Sequence, residues 1–247
     1  MRQITRAGIL RKLGITEEDE EALDEEWERP PFASKFWCGF GSIMKSRQFQ
    51  EWLHSSVSGV CYVDSKAPVA DADLNYGIFT ALNEEVSEAA RQKQSPRITV
   101  CSFSCSAHGK DKGDGLGGPW GLVKAIICAL LKSETLVKST KVTIDLPKEH
   151  PSSAAGILSI MDNVFEAFVK HRLERETIII VIEGTFIGDM RFKDIVSTLE
   201  RATEKHEQGV KVLVDISRRK RNVKEGSVML FWDVYNVKWV FHTVDGV

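Results

Sequence analysis

The chain has 247 residues, of which 43% are hydrophobic and 28% charged, with a formal net charge of -2. That balance fits a globular α/β protein with a sizeable core and excludes a membrane span, since no apolar run approaches the roughly 20 residues one needs. The five cysteines (Cys38, Cys61, Cys101, Cys105, Cys128) are odd in number and mostly sit in apolar stretches, which points to reduced thiols in a cytoplasmic protein rather than a disulfide framework.

Residues 1–30 read as an acidic N-terminal appendage outside the core. Met1-Arg2-Gln3-Ile4-Thr5-Arg6 has no signal-peptide core behind it. Glu17 to Glu28 holds nine acidic side chains and no basic one, so the remainder of the chain is net positive. The acidic run is expected to be a solvated helix start or a disordered lead-in. Its alternatives are a tail for a partner or a contact with the basic cluster Arg218-Arg219-Lys220-Arg221.

Pro30-Pro31 then breaks the chain. An aromatic segment follows (Phe32, Phe36, Trp37, Phe40), and Phe49, Trp52 and Leu53 fall at i, i+3 and i+4 of a short amphipathic helix. An exposed aromatic cluster would serve docking, whereas one beside a core helix is core.

The first strand is expected at Gly59–Asp64. Leu74, Ile78, Ala81, Leu82 and Val86 mark a helix capped by Asp71 or Asp73. Residues 97–103 form a second strand, and Pro119 opens a helix whose apolar face is Leu122, Val123, Ile126, Ile127, Leu130 and Leu131. Another helix carries Ile157, Ile160, Met161, Val164, Phe165, Phe168 and Val169. A third strand at 177–184, a helix through Phe192, Ile195, Val196 and Leu199, and a fourth strand at 210–215 follow. A fifth and last strand is expected at Val237–Phe241. Apolar strands alternating with helices describe a doubly wound, mainly parallel sheet.

The order of strand, Ser102-Phe103-Ser104-Cys105, helix 119–131, Ile-Ile-Ile-Val-Ile-Glu-Gly and Lys-Val-Leu-Val-Asp-Ile-Ser-Arg resembles the NACHT (STAND-class) P-loop NTPases. It is most similar to their degenerate fungal versions, and Phe32–Leu53 is similar to the lead-in those proteins carry. The resemblance covers about residues 30 to 245. It implies a single NACHT-like α/β domain over residues 31–247, with a five-stranded P-loop NTPase-like sheet in the order 5-1-4-3-2.

The residues that would carry the chemistry match unevenly. A phosphate loop reads G-x-x-x-x-G-K-[ST], whose backbone amides and lysine hold phosphates. Here the first strand runs into Asp64-Ser65-Lys66-Ala67-Pro68-Val69-Ala70-Asp71-Ala72-Asp73, without a glycine. Ser65 and Lys66 occupy the loop position, but Lys66 lies too near the strand to be the loop lysine, which begins the helix. Asp71 and Asp73 would repel phosphate there, and equally serve as helix caps.

The resemblance places Glu183 at the magnesium-binding acidic position, with Gly184 where a base carboxylate belongs. Glu183 is thus either a residual metal ligand or a polar strand end. Ser217 and Arg218 fall at the sensor position after the fourth strand. A binding site would therefore use Ser65, Lys66, Glu183 and Arg218, with ATP or ADP and magnesium as ligands. The expectation is nonetheless a pseudo-NTPase with no cofactor, acting as a regulatory or protein-interaction module with a protein partner, because phosphoryl transfer depends on the parts that are missing.

Other motifs carry less. Gly113-x-Gly115-x-x-Gly118 satisfies G-x-G-x-x-G, but about nine residues separate it from Phe103, so a flexible surface loop is expected. Cys101, Cys105 and His108 resemble a metal half-site; along one strand the two sulfurs would stand roughly 13 Å apart, too far for zinc. A Cys105–His108 nucleophile pair would lack an orienting third group. Arg218–Arg221 with Lys224 lacks interleaved aromatics, which argues against nucleic acid; the cluster could act as a nuclear-import signal.

Overall fold

The computed structural model describes residues 5–24, 47–64, 86, 88, 98–105, 108, 116–138, 154–172, 176–184, 190–215, 228–233 and 238–243. Strands β1 (Gly59–Asp64), β2 (Ile98–Ser104), β3 (Thr177–Glu183) and β4 (Val210–Asp215) form a parallel sheet, joined by β5 (Val228–Asp233) and β6 (Lys238–Thr243). The order across the sheet is β2-β3-β4-β1-β5-β6, with β5 parallel to β1 and β6 antiparallel to β5.

The α/β expectation is met in the parallel strands β2-β3-β4-β1, but the five-strand count is not. The fifth strand expected at Val237–Phe241 is the sixth, spans Lys238–Thr243 and runs antiparallel. Four residues link it to β5, a length that allows a hairpin and no crossover. The strand Val228–Asp233 has no alternation in Val-Met-Leu-Phe-Trp-Asp, and a short apolar run does not declare its type by periodicity.

The helices follow their apolar periods. We label them α1 (Arg6–Lys12), α2 (Glu17–Asp24), α3 (Arg47–His54), α4 (Pro119–Lys132), α5 (Glu134–Lys138), α6 (Ala154–His171) and α7 (Met190–Lys205). Pro119 occupies the first turn of α4 behind Gly118 as its N-cap. Eight side chains of α4 from Leu122 to Leu131 are buried, so this helix is apolar nearly all round, as a central helix must be. Phe192, Ile195, Val196 and Leu199 make the buried face of α7, and α6 packs against both α4 and α7. Val86 is helical and buried, while the rest of the stripe from Leu74 to Leu82 lies outside the described residues.

The two faces of the sheet are covered differently. Ile178, Ile180 and Ile182 of β3 join Val210, Val212 and Val214 of β4 in the core under α4, α6 and α7. By the alternation of a strand, Ile179, Val181, Lys211 and Leu213 point to the other face, and all are fully buried. There α3 lies against the sheet, with Phe49, Trp52 and Leu53 buried. The aromatic helix is therefore core; Phe32, Phe36, Trp37 and Phe40 lie outside the described residues.

Residues 5–24 are not a loose appendage. Ile9, Leu10, Leu13 and Ile15 belong to the main core cluster. Thr16 and Asp19 cap α2 reciprocally, with Thr16 N donating to Asp19 Oδ2 at 2.9 Å and Asp19 N donating to Thr16 Oγ1 at 3.1 Å. The acidic run begins as the first turn of that helix (Glu17, Glu18, Asp19, Glu20), where negative charge opposes the positive end of the helix dipole. Glu20 also pairs with Arg6 at 2.7 Å and faces Lys132 at 4.0 Å. Ile9, Leu10 and Leu13 fall at helical spacing, with Ile15 just beyond the helix, and this apolar signal lies beside the stronger one of the charge run.

Lys211 is a fully buried cation in a central strand. Its Nζ donates to Trp52 O, to Ser55 Oγ at 2.9 Å and to Val57 O at 3.1 Å, and lies 5.0 Å from the Trp52 ring centroid. These oxygens belong to the carboxyl end of α3 and the turn after it, where a cation complements the helix dipole. Burial pulls Lys211 down to about 8 from its ordinary 10.5, with the neighbouring Cys61 acting weakly the other way.

The unfolded chain therefore holds the extra proton between those values, and stability rises with pH across the window. Lys211→Met lacks the group. Relative to that variant, the wild type should gain up to about 3 kcal/mol between pH 8 and 10.5, as measured by urea unfolding at each pH. Parallel pH curves for the two proteins would contradict the assignment.

Candidate functional site

In an open parallel sheet the ligand crevice lies outside the carboxyl ends of the strands, where neighbouring strands send their chains in opposite directions. Here those neighbours are β1 and β4. The chain leaves β1 for β2 at the far edge and leaves β4 for β5 on the other side of β1. Val63 and Asp215 are register partners, so Asp64 and Asp215 end adjacent strands at one edge. Glu183, one step past the Ile182–Val214 pair, ends β3 at the same edge. The topology thus brings the ends of three strands together, each finishing on a carboxylate residue.

Of the four sequence-derived site residues, Glu183 is the one described. Ser65, Lys66 and Arg218 lie outside the described residues, as do Asp71, Asp73, Ser217 and the cluster Arg218–Arg221. Glu183 is 3% exposed and stands opposite Ser104 in the β2–β3 register. Ser104 Oγ donates to Glu183 Oε2 at 2.6 Å, and Cys105 N donates to Glu183 O at 2.9 Å. A buried carboxylate requires such donors, since an uncompensated charge is costly away from water. Gly184 follows with φ at 73°, a left-handed conformation that glycine adopts without strain, and turns the chain off the strand.

Ser104 is the partner that sequence reasoning missed. Its link to Glu183 depends on the pairing register of β2 with β3, which joins residues far apart in the chain. Lys211 and Glu176 were missed as well. Glu176, buried before β3, accepts from Thr99 Oγ1 at 3.2 Å, Thr135 N at 2.9 Å and Thr135 Oγ1. It ties the start of β2 to α5. For both residues the signal was a charged side chain within or beside an apolar strand run, a place where such residues are paired.

The glycine-rich stretch before α4 is anchored rather than a free surface loop at its described end. Leu116 is buried, and Gly118 N donates to His108 O at 3.0 Å. A Cβ on Gly121 would sit 1.6 Å from Leu116 O, so the loop lies directly on the first turn of the helix. Gly113 and Gly115 lie outside the described residues.

The cysteine pattern also resolves. The His108 ring stacks on Phe103, with centroids 4.9 Å apart and planes 27° from parallel. Cys101 and Cys105 are buried in the core cluster. Among the described residues no three His, Cys, Asp or Glu side chains gather as a metal site. Cys61, Cys101, Cys105 and Cys128 are all buried, and none is in a disulfide. Burial pushes the Cys61 and Cys101 thiols up, and the Cys128 thiol up to about 12. These are protonated, dry thiols rather than nucleophiles.

Ser104→Ala removes the donor and leaves Glu183 buried with a partner fewer. The expected cost is about 1.5–3 kcal/mol in denaturant unfolding with an unchanged m value; a loss within about 0.5 kcal/mol would mean the pair is incidental. No protein-family model matches this sequence, and no curated protein matches it, so the reading of the site rests on its residues and their geometry.

Proposed function

We propose that this chain is a pseudo-NTPase, a regulatory or protein-interaction module similar to degenerate NACHT-like P-loop NTPases and without efficient hydrolysis. The observation that carries the reading is the state of Glu183. The carboxylate that would hold magnesium is buried and accepts from Ser104. Magnesium keeps several waters in a near-octahedral shell, which asks for an open, wet carboxylate. Gly184 stands where a base would activate water, and Asp64 to Asp73 supplies no glycine amides for phosphate. Positioning and charge neutralisation are what phosphoryl transfer requires of a protein.

The strand arrangement supports the fold half of the reading. With β5 rather than residues 237–241 in the fifth place, the order expected from the resemblance corresponds to the run β5-β1-β4-β3-β2. Four buried cysteines without a disulfide accord with a cytoplasmic setting. No helix among the described residues is long and apolar enough to cross a membrane. The partner we propose is a protein.

The alternative is a switch that binds ATP or ADP with magnesium through Ser65, Lys66, Glu183 and Arg218. The convergence of β1, β3 and β4 at one edge favours it. Phosphate release from magnesium–ATP separates the two readings. The pseudo-NTPase should release no phosphate beyond the buffer rate, and Lys66→Ala should leave that rate unchanged. Turnover that disappears in Lys66→Ala would overturn the proposal.

A further inference from the structure

Cys101 on β2 and Cys128 on α4 line the same cavity of about 70 Å3. The sequence spacing of α4 makes the space. Ala125, Cys128, Ala129 and Lys132 recur at i, i+3, i+4 and i+7, so one face of the helix presents two alanines and a thiol to the strand. A larger side chain at either alanine would fill the gap that the methyl groups leave. Leu23 of α2 forms another wall of the cavity. The volume exceeds the roughly 10–15 Å3 that one water needs, so a single ion has room.

The donor set selects the ligand. We propose that Cys101 and Cys128 form a two-sulfur site for a soft, monovalent d10 cation of the Cu(I) class. Thiolates prefer soft metals, while hard cations such as magnesium and calcium require oxygen ligands. Structural zinc takes four ligands, and no third His, Cys, Asp or Glu joins the pair among the described residues. Two sulfurs match an ion content with low coordination.

Binding involves no change of oxidation state. Each thiol releases its proton to solvent, two Cu–S bonds form, and the product is a bis-thiolate complex with one negative charge. Lys132 at the cavity wall supplies a positive charge to face it.

The test uses the reduced full-length chain under anaerobic conditions, with Cu(I) shared against a coloured Cu(I) chelator. Wild type should withdraw one equivalent and gain a near-ultraviolet sulfur-to-copper absorption. Cys101→Ser and Cys128→Ser should each lose both signals, while Cys61→Ser and Cys105→Ser should keep them. Ala129→Leu retains both thiols and fills the cavity, so it should lose binding while its circular dichroism stays that of the wild type. Equal withdrawal by Cys101→Ser, or by folded Ala129→Leu, would place the copper elsewhere and overturn the proposal.

Discussion

Both faces of β3 must be covered, and the architecture follows from that constraint. All seven residues from Thr177 to Glu183 are buried, including five consecutive β-branched aliphatics from Ile178 to Ile182. A strand of this composition cannot face water on either side, so it needs helices above and below and neighbours along both edges. β2 and β4 supply the edges in parallel register. Helices α4, α6 and α7 pack on one face, and on the other the carboxyl end of α3 meets Lys211. Burying an aliphatic side chain is worth about 1.5–3 kcal/mol, so this strand is a large source of stabilisation in the sheet.

Glu176, Lys211 and Glu183 are buried at the ends of that strand and its neighbour, and each ties together the segments around it. At the amino end, Glu176 receives donors from β2 and α5. Lys211 gathers the oxygens at the carboxyl end of α3. At the carboxyl end, Glu183 receives Ser104. In an active nucleotide site the carboxyl edge would hold groups aimed outward at phosphate and metal. Here the carboxylate closest to that role is turned to holding β2 against β3. The functional proposal is thus an energetic statement as well, since a residue that stabilises the fold in this way is poorly placed to change partners with a ligand.

The legibility of the chain followed the range of the forces involved. Helices and parallel strands announced themselves because burial imposes a period of 3.6 or an apolar run, both local properties. Pro119 was readable for the same reason, since its fixed φ and missing N–H suit a first helical turn. β5 was not, because Val-Met-Leu-Phe-Trp-Asp has no period and follows a charged stretch. The packing of residues 5–24 was hidden by nine acidic side chains, although Ile9, Leu10, Leu13 and Ile15 beside them carry the burial. Ser104 with Glu183 and Cys101 with Cys128 were beyond reach, as both pairs come from contacts between distant segments that only the register and packing create.

The central claim is that Glu183 stabilises the fold and holds no nucleotide-bound metal. Thermal unfolding of wild type and Glu183→Gln, each with and without magnesium–ATP, tests it most directly. The account predicts that Glu183→Gln melts several degrees lower without any ligand, as a loss of 1–2 kcal/mol does in a domain of about this size, and that magnesium–ATP moves neither protein. A wild type that gains about 2.7 kcal/mol at nucleotide concentrations about 100 times its Kd, beside a Glu183→Gln variant that gains none, would contradict it and identify a working nucleotide site.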